Sequence, residues 1–568
     1  MIYILVVLIS FLTTSYLVLR DPWVQTLSAR IASHYLSVHL HTEIRIGGFD
    51  LSFGRGLTME DIIIRDQHQV DIFSAHKLSI IPGKFSLSKK ILNFRKVFID
   101  KGLIQLLIHK GDTVLNLQFI IYYFTPKATL KPPDTIGPKW YLSITALQLS
   151  STRFHLQDEN KPLVTLGMDY SNIDVRNIDL LITGFHPDGD TINARIERLS
   201  ATERSGFSVH SMSGDFQVSS VFLKAHNLKL VTNNSDLDLT FDFLYDRWND
   251  YTDFLNKVRI RAFINPSYLD LQDIGAFAPV MYVMKDRFKM EGKIKGTVSN
   301  FNAKDFRCAY GTETRFWGDI HAYGLPNVEE TFVDLNIKNF VTNQEDIHSL
   351  NLPTADTNLV LPAFLKNAGM LNLKGNFTGF YNDFVANARL HTDIGDLKTD
   401  LTLRKKKGVK GLLYTGEADV TGLQLGKLFK SNELLGPITL RADLNGSGFT
   451  LEDAIVTMNV WIDSVSLNKY TYRHITLQGG LEDKIFNGRM NVDDQNLRLD
   501  INGLVDLGDS LPAFNFDLML NHAQLFAMNL VKRDSLEDLS AHVKVDFTGN
   551  SIDNIEGTIR IDSTRYRE

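Results

Sequence analysis

From Glu43 onward, apolar and polar residues alternate along this chain with a period of two. Leu237, Leu239, Phe241 and Phe243 interleave with Asp238, Thr240 and Asp242, and Phe288, Met290, Ile294 and Val298 are set among Lys289, Glu291, Lys293 and Lys295. The pattern persists to the end: Leu497, Leu499, Ile501 and Val505 against Arg498, Asp500, Asn502 and Asp506, then Phe514, Phe516, Leu518 and Leu520, then Val543, Val545 and Phe547. Successive side chains of a strand point to opposite faces, so each segment predicts a strand with one apolar and one wet face, as in an antiparallel sheet. Helical stretches between strands are too few and too short for a parallel βαβ architecture. Short helical pieces are expected at about Pro266 to Val280, Leu423 to Lys430 and His522 to Met528.

The N-terminus follows other periods. Ile2 to Leu19 is one uncharged run, about the length that crosses a bilayer core, with Ile4, Leu5, Val6, Val7, Leu8, Ile9, Phe11, Leu12, Leu17 and Val18 as its apolar body. A cleaved signal peptide, with Thr13 and Ser15 at the cleavage site, competes with this reading. Apolar residues resume at Tyr16 to Leu19 and no basic segment precedes the run, which favours an uncleaved membrane anchor over residues 1–20. Next, Asp21 is placed to cap a helix that starts on Pro22. Val24, Leu27, Ile31, Tyr35 and Val38 then step by three or four, giving an amphipathic helix over 21–42. Its apolar face is expected to cap a hydrophobic core in preference to lying on a membrane, because its polar face is poor in Lys and Arg.

Pro126, Pro132, Pro133 and Pro138 mark a linker or long loop at 126–138, between an N-terminal β module at 43–125 and a repetitive body at 139–568. Within that body a Gly/Asn-rich segment recurs before Asp305, Asp383, Asp453 and Asn554, after one alternating strand and before the next, and reads as a tight turn with a side-chain bond to its backbone. Its irregular spacing suits a sheet growing by hairpins of varying length better than a propeller. A sheet with an apolar face must cover it. Thirty to forty strands would curl into a trough, apolar within and polar outside, suited to acyl chains; a set of β-sandwiches is the alternative, and periodicity does not separate the two. The candidate lining residues are Leu237, Leu239, Phe241, Phe288, Met290, Ile294, Leu497, Leu499, Ile501, Phe514, Phe516 and Leu518.

Composition narrows the function. The 568 residues carry 60 Lys plus Arg and 66 Asp plus Glu, a net charge of −6, which disfavours a nucleic-acid binder. The one cysteine, Cys308, excludes an internal disulfide framework or a multi-cysteine metal site and reads as a small strand residue. No His-Glu-x-x-His or Gly-x-Ser-x-Gly occurs, and Gly422 to Leu428 falls short of a phosphate loop. His186-Pro-Asp188-Gly-Asp190 reads as a turn, His39 and His41 as local polar residues, and Lys405 to Lys407 as a solvated hairpin. No catalytic residue, metal site or cofactor is expected, and the chain is not read as an enzyme.

Several segments together resemble a known family. Trp23-Val24-Gln25, Arg30-Ile31-Ala32, Tyr35-Leu36, Thr42 to Phe53 and Leu57 to Ile64 with Asp66 resemble the N-terminus of TamB proteins of the AsmA-like superfamily, in their Bacteroidetes form. Asp273 to Pro279 with Gly292 to Val298, Leu423 to Leu428, and Gly549 to Gly557 resemble that family's body repeats. The resemblance implies a single-pass Gram-negative inner-membrane protein with its body in the periplasm. It also implies a β-taco groove carrying phospholipid toward the outer membrane, and an Omp85-type outer-membrane barrel as partner in protein assembly and secretion. The chain stops at Glu568 without the family's C-terminal domain, so it is expected to be an N-terminal portion, for which the barrel contact is in doubt. The alternative function is a scaffold offering strand edges to barrel clients; an anchored enzyme or glycan-binding β protein is a third.

Overall fold

The computed structural model describes residues 18, 20–52, 56–86, 88, 90–125, 141–327, 330–350, 367–405, 412–429, 434–448, 451–508, 511–532, 538–550 and 554–567. They divide into two compact units, one reaching Thr297 and the other starting at Val298. The first holds helix α1 (Pro22–Leu40), then β1 (Ile44–Ser52), β2 (Gly56–Arg65), β3 (Asp71–Ser86), β4 (Ile91–Asp100), β5 (Leu103–Ile108), α2 (Gln118–Phe124), β6 (Tyr141–Asp158), β7 (Asn172–Asp188), β8 (Thr191–Glu203), β9 (Ser208–Val218), β10 (Phe222–Thr232), β11 (Asp236–Leu244), α3 (Phe254–Lys257), β12 (Arg259–Asp270), α4 (Leu271–Gly275) and β13 (Arg287–Gly296). The second holds β14 (Asn300–Tyr310), β15 (Thr314–Tyr323), β16 (Phe332–Thr342), α5 (Gln344–Ser349), β17 (Leu371–Phe380), β18 (Asp383–Thr392), β19 (Gly395–Lys405), β20 (Leu412–Gln424), α6 (Leu425–Phe429), β21 (Leu435–Ser447), β22 (Ile455–Leu467), β23 (Tyr470–Glu482), β24 (Ile485–Asp494), β25 (Leu497–Asp506), β26 (Ala513–Ala523), β27 (Asp538–Thr548) and β28 (Glu556–Arg567).

The protein is mainly β, as the period of two predicts. In the second unit each strand pairs antiparallel with the next, from β14 to β28, in one unbranched meander. In the first unit β3 pairs antiparallel with both β4 and β5, β6 runs parallel to those same two strands, and the other neighbours pair antiparallel in order. That parallel step is an exception to the all-antiparallel expectation, and the chain makes it through α2, since parallel neighbours need a long connection.

Other expectations change. Twenty-eight strands are described, fewer than thirty to forty. The stretch Pro266 to Val280 is helical only in part: β12 runs through Pro266 to Asp270 before α4 begins. At His522 to Met528 the strand β26 continues to Ala523 and a turn follows. Asp305 sits at a bulge inside β14 with φ of 49°, not in a turn. Asp383 is the first residue of β18, while Asp453 and Asn554 lie between strands, at β21–β22 and β27–β28. The Pro-rich segment 126–138 lies outside the described residues, while the compact units part at Thr297 and Val298. The anchor residues up to Leu17, and Leu19, also lie outside them; Val18 and Arg20 are helical and exposed. Among the described residues no helix is long and apolar enough to cross a membrane.

Helix α1 starts where its N-cap predicts: the Asp21 carboxylate accepts from the backbone N–H of Trp23 (2.8 Å) and Val24 (3.3 Å); His41, read from the sequence only as a local polar residue, ends it in the left-handed conformation. The expected packing face is wrong. Leu27, Ile31, Tyr35 and Val38 are 44%, 64%, 58% and 55% exposed, and Trp23 72%; the buried positions are Ala29, Ser33 and Leu40. The opposite, small and polar face docks onto the edge of β1. Thr26 Oγ1 donates to the Phe49 carbonyl and accepts from its N–H; Gln25 does the same at Leu51 through its amide, Arg30 Nη2 donates to Gly47, and Ser37 Oγ serves Ile44. An edge strand presents unpaired backbone groups, and hydrogen-bonding side chains meet that need where apolar ones do not.

Candidate functional site

The strand register converts the alternation of single strands into rows that cross each sheet. In the second unit one row runs Cys308, Phe316, Phe340, Leu373, Leu390, Leu397, Val420, Leu440, Ile462, Ile475, Val492, Leu499, Leu520 and Ala541. Every member is apolar, across fourteen consecutive strands. A parallel row on the same face includes Ala442, Val460, Leu477, Met490, Ile501, Leu518, Val543 and Ile561. The opposite face carries Asn376, Asn387, Asp400, Glu417, Asp443, Asn459, Gln478, Arg489, Asn502, Asp517, Lys544 and Arg560, cross-strand neighbours in that order.

The first unit is built alike. Phe49, Met59, Leu78, Ile99, Leu149, Leu180, Leu199, Met212, Leu230 and Leu237 form one row, and Leu51, Leu57, Ile80, Val97, Leu147, Ile182 and Ile196 the next. The wet face bears Asn193, Gln217, Lys224, Asp242, Arg261 and Lys295. Bulges at Ala225/Leu228 and Ile264/Ser267 absorb one extra residue each and return the rows to register. All twelve sequence-selected lining residues fall on these apolar faces, six in each unit, and each is half-buried.

That half-burial separates an open face from a sandwich. Two stacked sheets would drive inward side chains to full burial across an interior about 10 Å thick. Here only Ile475 and Val492 of the long row are buried; the other members keep part of their surface accessible. Fully buried apolar residues also stand elsewhere in the sheets, Ile62, Ala225, Leu228 and Ala442 among them, and two small clusters gather such residues, Ala368, Leu371 and Ile394 beneath Leu423 and Leu428, and Val465, Ile475 and Val492 beside Leu425. Both lie where α6 covers strand ends. Glycines smooth one further row: Gly479, Gly488 and Gly503 are cross-strand neighbours, and the Phe486 ring lies where the Cβ of either of the first two would stand.

The rim is polar and held by hydrogen bonds. Asp346 in α5 accepts from the N–H groups of Thr312, Glu313 and Thr314 and from the Thr314 hydroxyl, tying the helix to the β14–β15 turn. Burial pushes its carboxyl up, but those donors outweigh burial and hold it at about 2. At the same lateral edge Asn468 and Asn529 exchange amide-to-carbonyl bonds at 2.9 and 3.2 Å, and Asp494 accepts from Tyr470 and Arg473. In the first unit, burial of Asp174 is outweighed by Arg153 and Arg176, which hold its carboxyl at about 2. On the wet face Arg195 keeps Asp215 below the usual carboxylate range, and Arg489 with Asn491 does so for Asp500.

Remaining candidates take modest places. Cys308 is half-buried in the apolar row opposite Phe316, and burial pushes its thiol up to about 11. Gly189 and Asp190 make the β7–β8 turn, with Gly189 at φ 64°, and Asp188 is the last residue of β7. Of the lysine cluster, Lys406 and Lys407 lie outside the described residues. His39 Nδ1 lies 2.9 Å from the Tyr35 carbonyl. Among the described residues no group of three His, Cys, Asp or Glu could hold a metal. A cleft of about 940 Å³ lies on the wet face near Arg389, Lys398, Arg441 and Trp461, where Asp396 is paired with His391 and Asp419 with Lys398 and Arg441. The α1–β1 contact escaped the sequence reading. Its signal was the spacing of Thr26, Arg30, Ser33 and Ser37 by four, three and four, a hydrogen-bonding stripe opposite the apolar one. Compared with protein-family models, curated proteins and solved structures, the chain matches none.

Proposed function

We propose that this chain is a membrane-anchored lipid conduit: an inner-membrane protein with its body in the periplasm, whose apolar sheet faces form a β-taco groove for phospholipid acyl chains bound for the outer membrane. The observation that carries this reading is the uninterrupted apolar row, half-buried at every strand but those of Ile475 and Val492, backed by a wholly polar row on the other face. An acyl chain laid across such rows exchanges water for hydrocarbon at every strand, and no covalent chemistry is required. The anchor rests on the uncharged run Ile2 to Leu19, and the compartment and direction on the family resemblance. The scaffold alternative, with an Omp85-type partner, needs free strand edges; the β1 edge is occupied by α1, which counts against it in the first unit.

The test is photo-crosslinking of the full chain in its native membrane. A benzophenone side chain at Leu239, Leu499 or Phe516 should capture phospholipid, identified by mass spectrometry, while one at Asn502, Arg489 or Asp517 should not. Equal capture on both faces, or protein adducts alone on the apolar face, would overturn the conduit.

A further inference from the structure

The exposed stripe of α1 raises a question that the sheet faces do not: what covers it. Trp23, Leu27, Ile31, Tyr35 and Val38 point away from the protein. The helix has no freedom to turn them inward, because Gln25, Thr26, Arg30 and Ser37 are fastened to successive outward-facing backbone groups of β1. These contacts ascend the helix from 25 to 37 as they descend the strand from Leu51 to Ile44. They span about 18 Å of helix and about 23 Å of strand, so the two lie side by side and antiparallel.

We propose that α1 lies flat in the interfacial zone of the lipid bilayer, its apolar stripe turned into the acyl region and β1 held along the membrane surface by its other face. The occupant follows from what adjoins the helix. Only Arg20 and Asp21 separate Pro22 from the uncharged run ending at Leu19, and Val18 and Arg20 are already helical. A span ending there leaves the start of α1 at headgroup depth. Trp23 and Tyr35 are the side chains that settle at that depth, with an apolar body and a polar tip. The helix is poor in Lys and Arg, so its attachment depends on apolar burial and not on anionic lipid. The apolar rows that begin at Phe49 and Leu51 then start at the bilayer, and β1 is where an acyl chain leaves the membrane for the sheet.

The inference rests on the anchored reading of residues 2–19, and the experiment separates the two. In the full chain carrying Cys308→Ala, single nitroxide labels are placed at Leu8→Cys, Ile31→Cys, Tyr35→Cys and Asn502→Cys. The protein is reconstituted in bilayers of phosphatidylcholine with and without phosphatidylglycerol. Relaxation by oxygen against a water-soluble nickel chelate reads depth. Labels at 31 and 35 should show several-fold greater oxygen preference than the label at 502, in both lipid mixtures and at high salt. Labels at 31 and 35 that match the one at 502, while the label at 8 is in lipid, overturn the interfacial helix and leave the anchor standing. A label at 8 that matches the one at 502 overturns the anchor, and labels at 31 and 35 then judge the helix by themselves. In Thr26→Val the helix loses hydrogen bonds to β1 but keeps its stripe, so hydrogen exchange at Gly47 to Leu51 should rise while the depth at 31 is unchanged. A depth that changes with it would assign the stripe to the protein and not to lipid.

Discussion

Replacing Leu499 and Ile501 together by Asp places two carboxylates in adjacent apolar rows of β25, between Val492 and Leu520 in one and between Met490 and Leu518 in the other. Both positions are half-buried, so the fold loses about 1–2 kcal/mol per site, below the 2–5 kcal/mol typical of fully buried aliphatic residues. The carboxylates remain hydrated because the face is open, and the protein folds. A passing acyl chain meets a larger obstacle. Strands about 4.8 Å apart accommodate about four methylenes each. At about 0.8 kcal/mol per buried methylene, losing one strand's width of contact removes about 3 kcal/mol, roughly a hundredfold in occupancy. The assay reads benzophenone adducts at Val460 in β22 and Val543 in β27, on the two sides of the block, with far-UV circular dichroism and limited proteolysis as folding controls. On the proposed conduit, with lipid entering from an anchored N-terminal end, adducts should still form at Val460 and should fall steeply at Val543. A folded variant with unchanged adducts at Val543 would refute movement along these rows, and a variant that unfolds outright would show that the face is covered by a second layer.

Two further outcomes test the sheet itself. Asp346, held at about 2 against an ordinary 3.8, stabilises the α5 contact by about 2 kcal/mol. Its folded-state value is depressed, so that stability is present above about pH 4 and is lost as pH falls through about 2; Asp346→Asn should raise hydrogen exchange at Thr312 to Thr314 at neutral pH and abolish this acid dependence locally. At Gly503, an added Cβ would stand 2.3 Å from the Asn515 carbonyl oxygen and 2.4 Å from Phe516 Cα, so Gly503→Val should destabilise β25–β26 by about 1–3 kcal/mol in chemical denaturation; an unchanged midpoint would refute that close approach.

The period of two was sufficient to place strands with one wet face, and the cap at Asp21 set the start of the first helix, because both are local: side-chain direction in a strand and donor satisfaction at a helix end depend on near neighbours. The twelve lining residues chosen from alternation share faces for the same reason. Register was not legible, since it depends on turn lengths and bulges, and only pairing shows that Leu373, Leu440, Val492 and Leu520 belong to one row. Nor does periodicity reveal what covers an apolar stripe. The heptad-like spacing of Leu27, Ile31, Tyr35 and Val38 pointed to a core, yet the edge of β1 required hydrogen bonds and took the polar face instead. The choice between open face and sandwich likewise waited for the tertiary structure, because burial measures what lies above a side chain, and that neighbour comes from elsewhere in the chain.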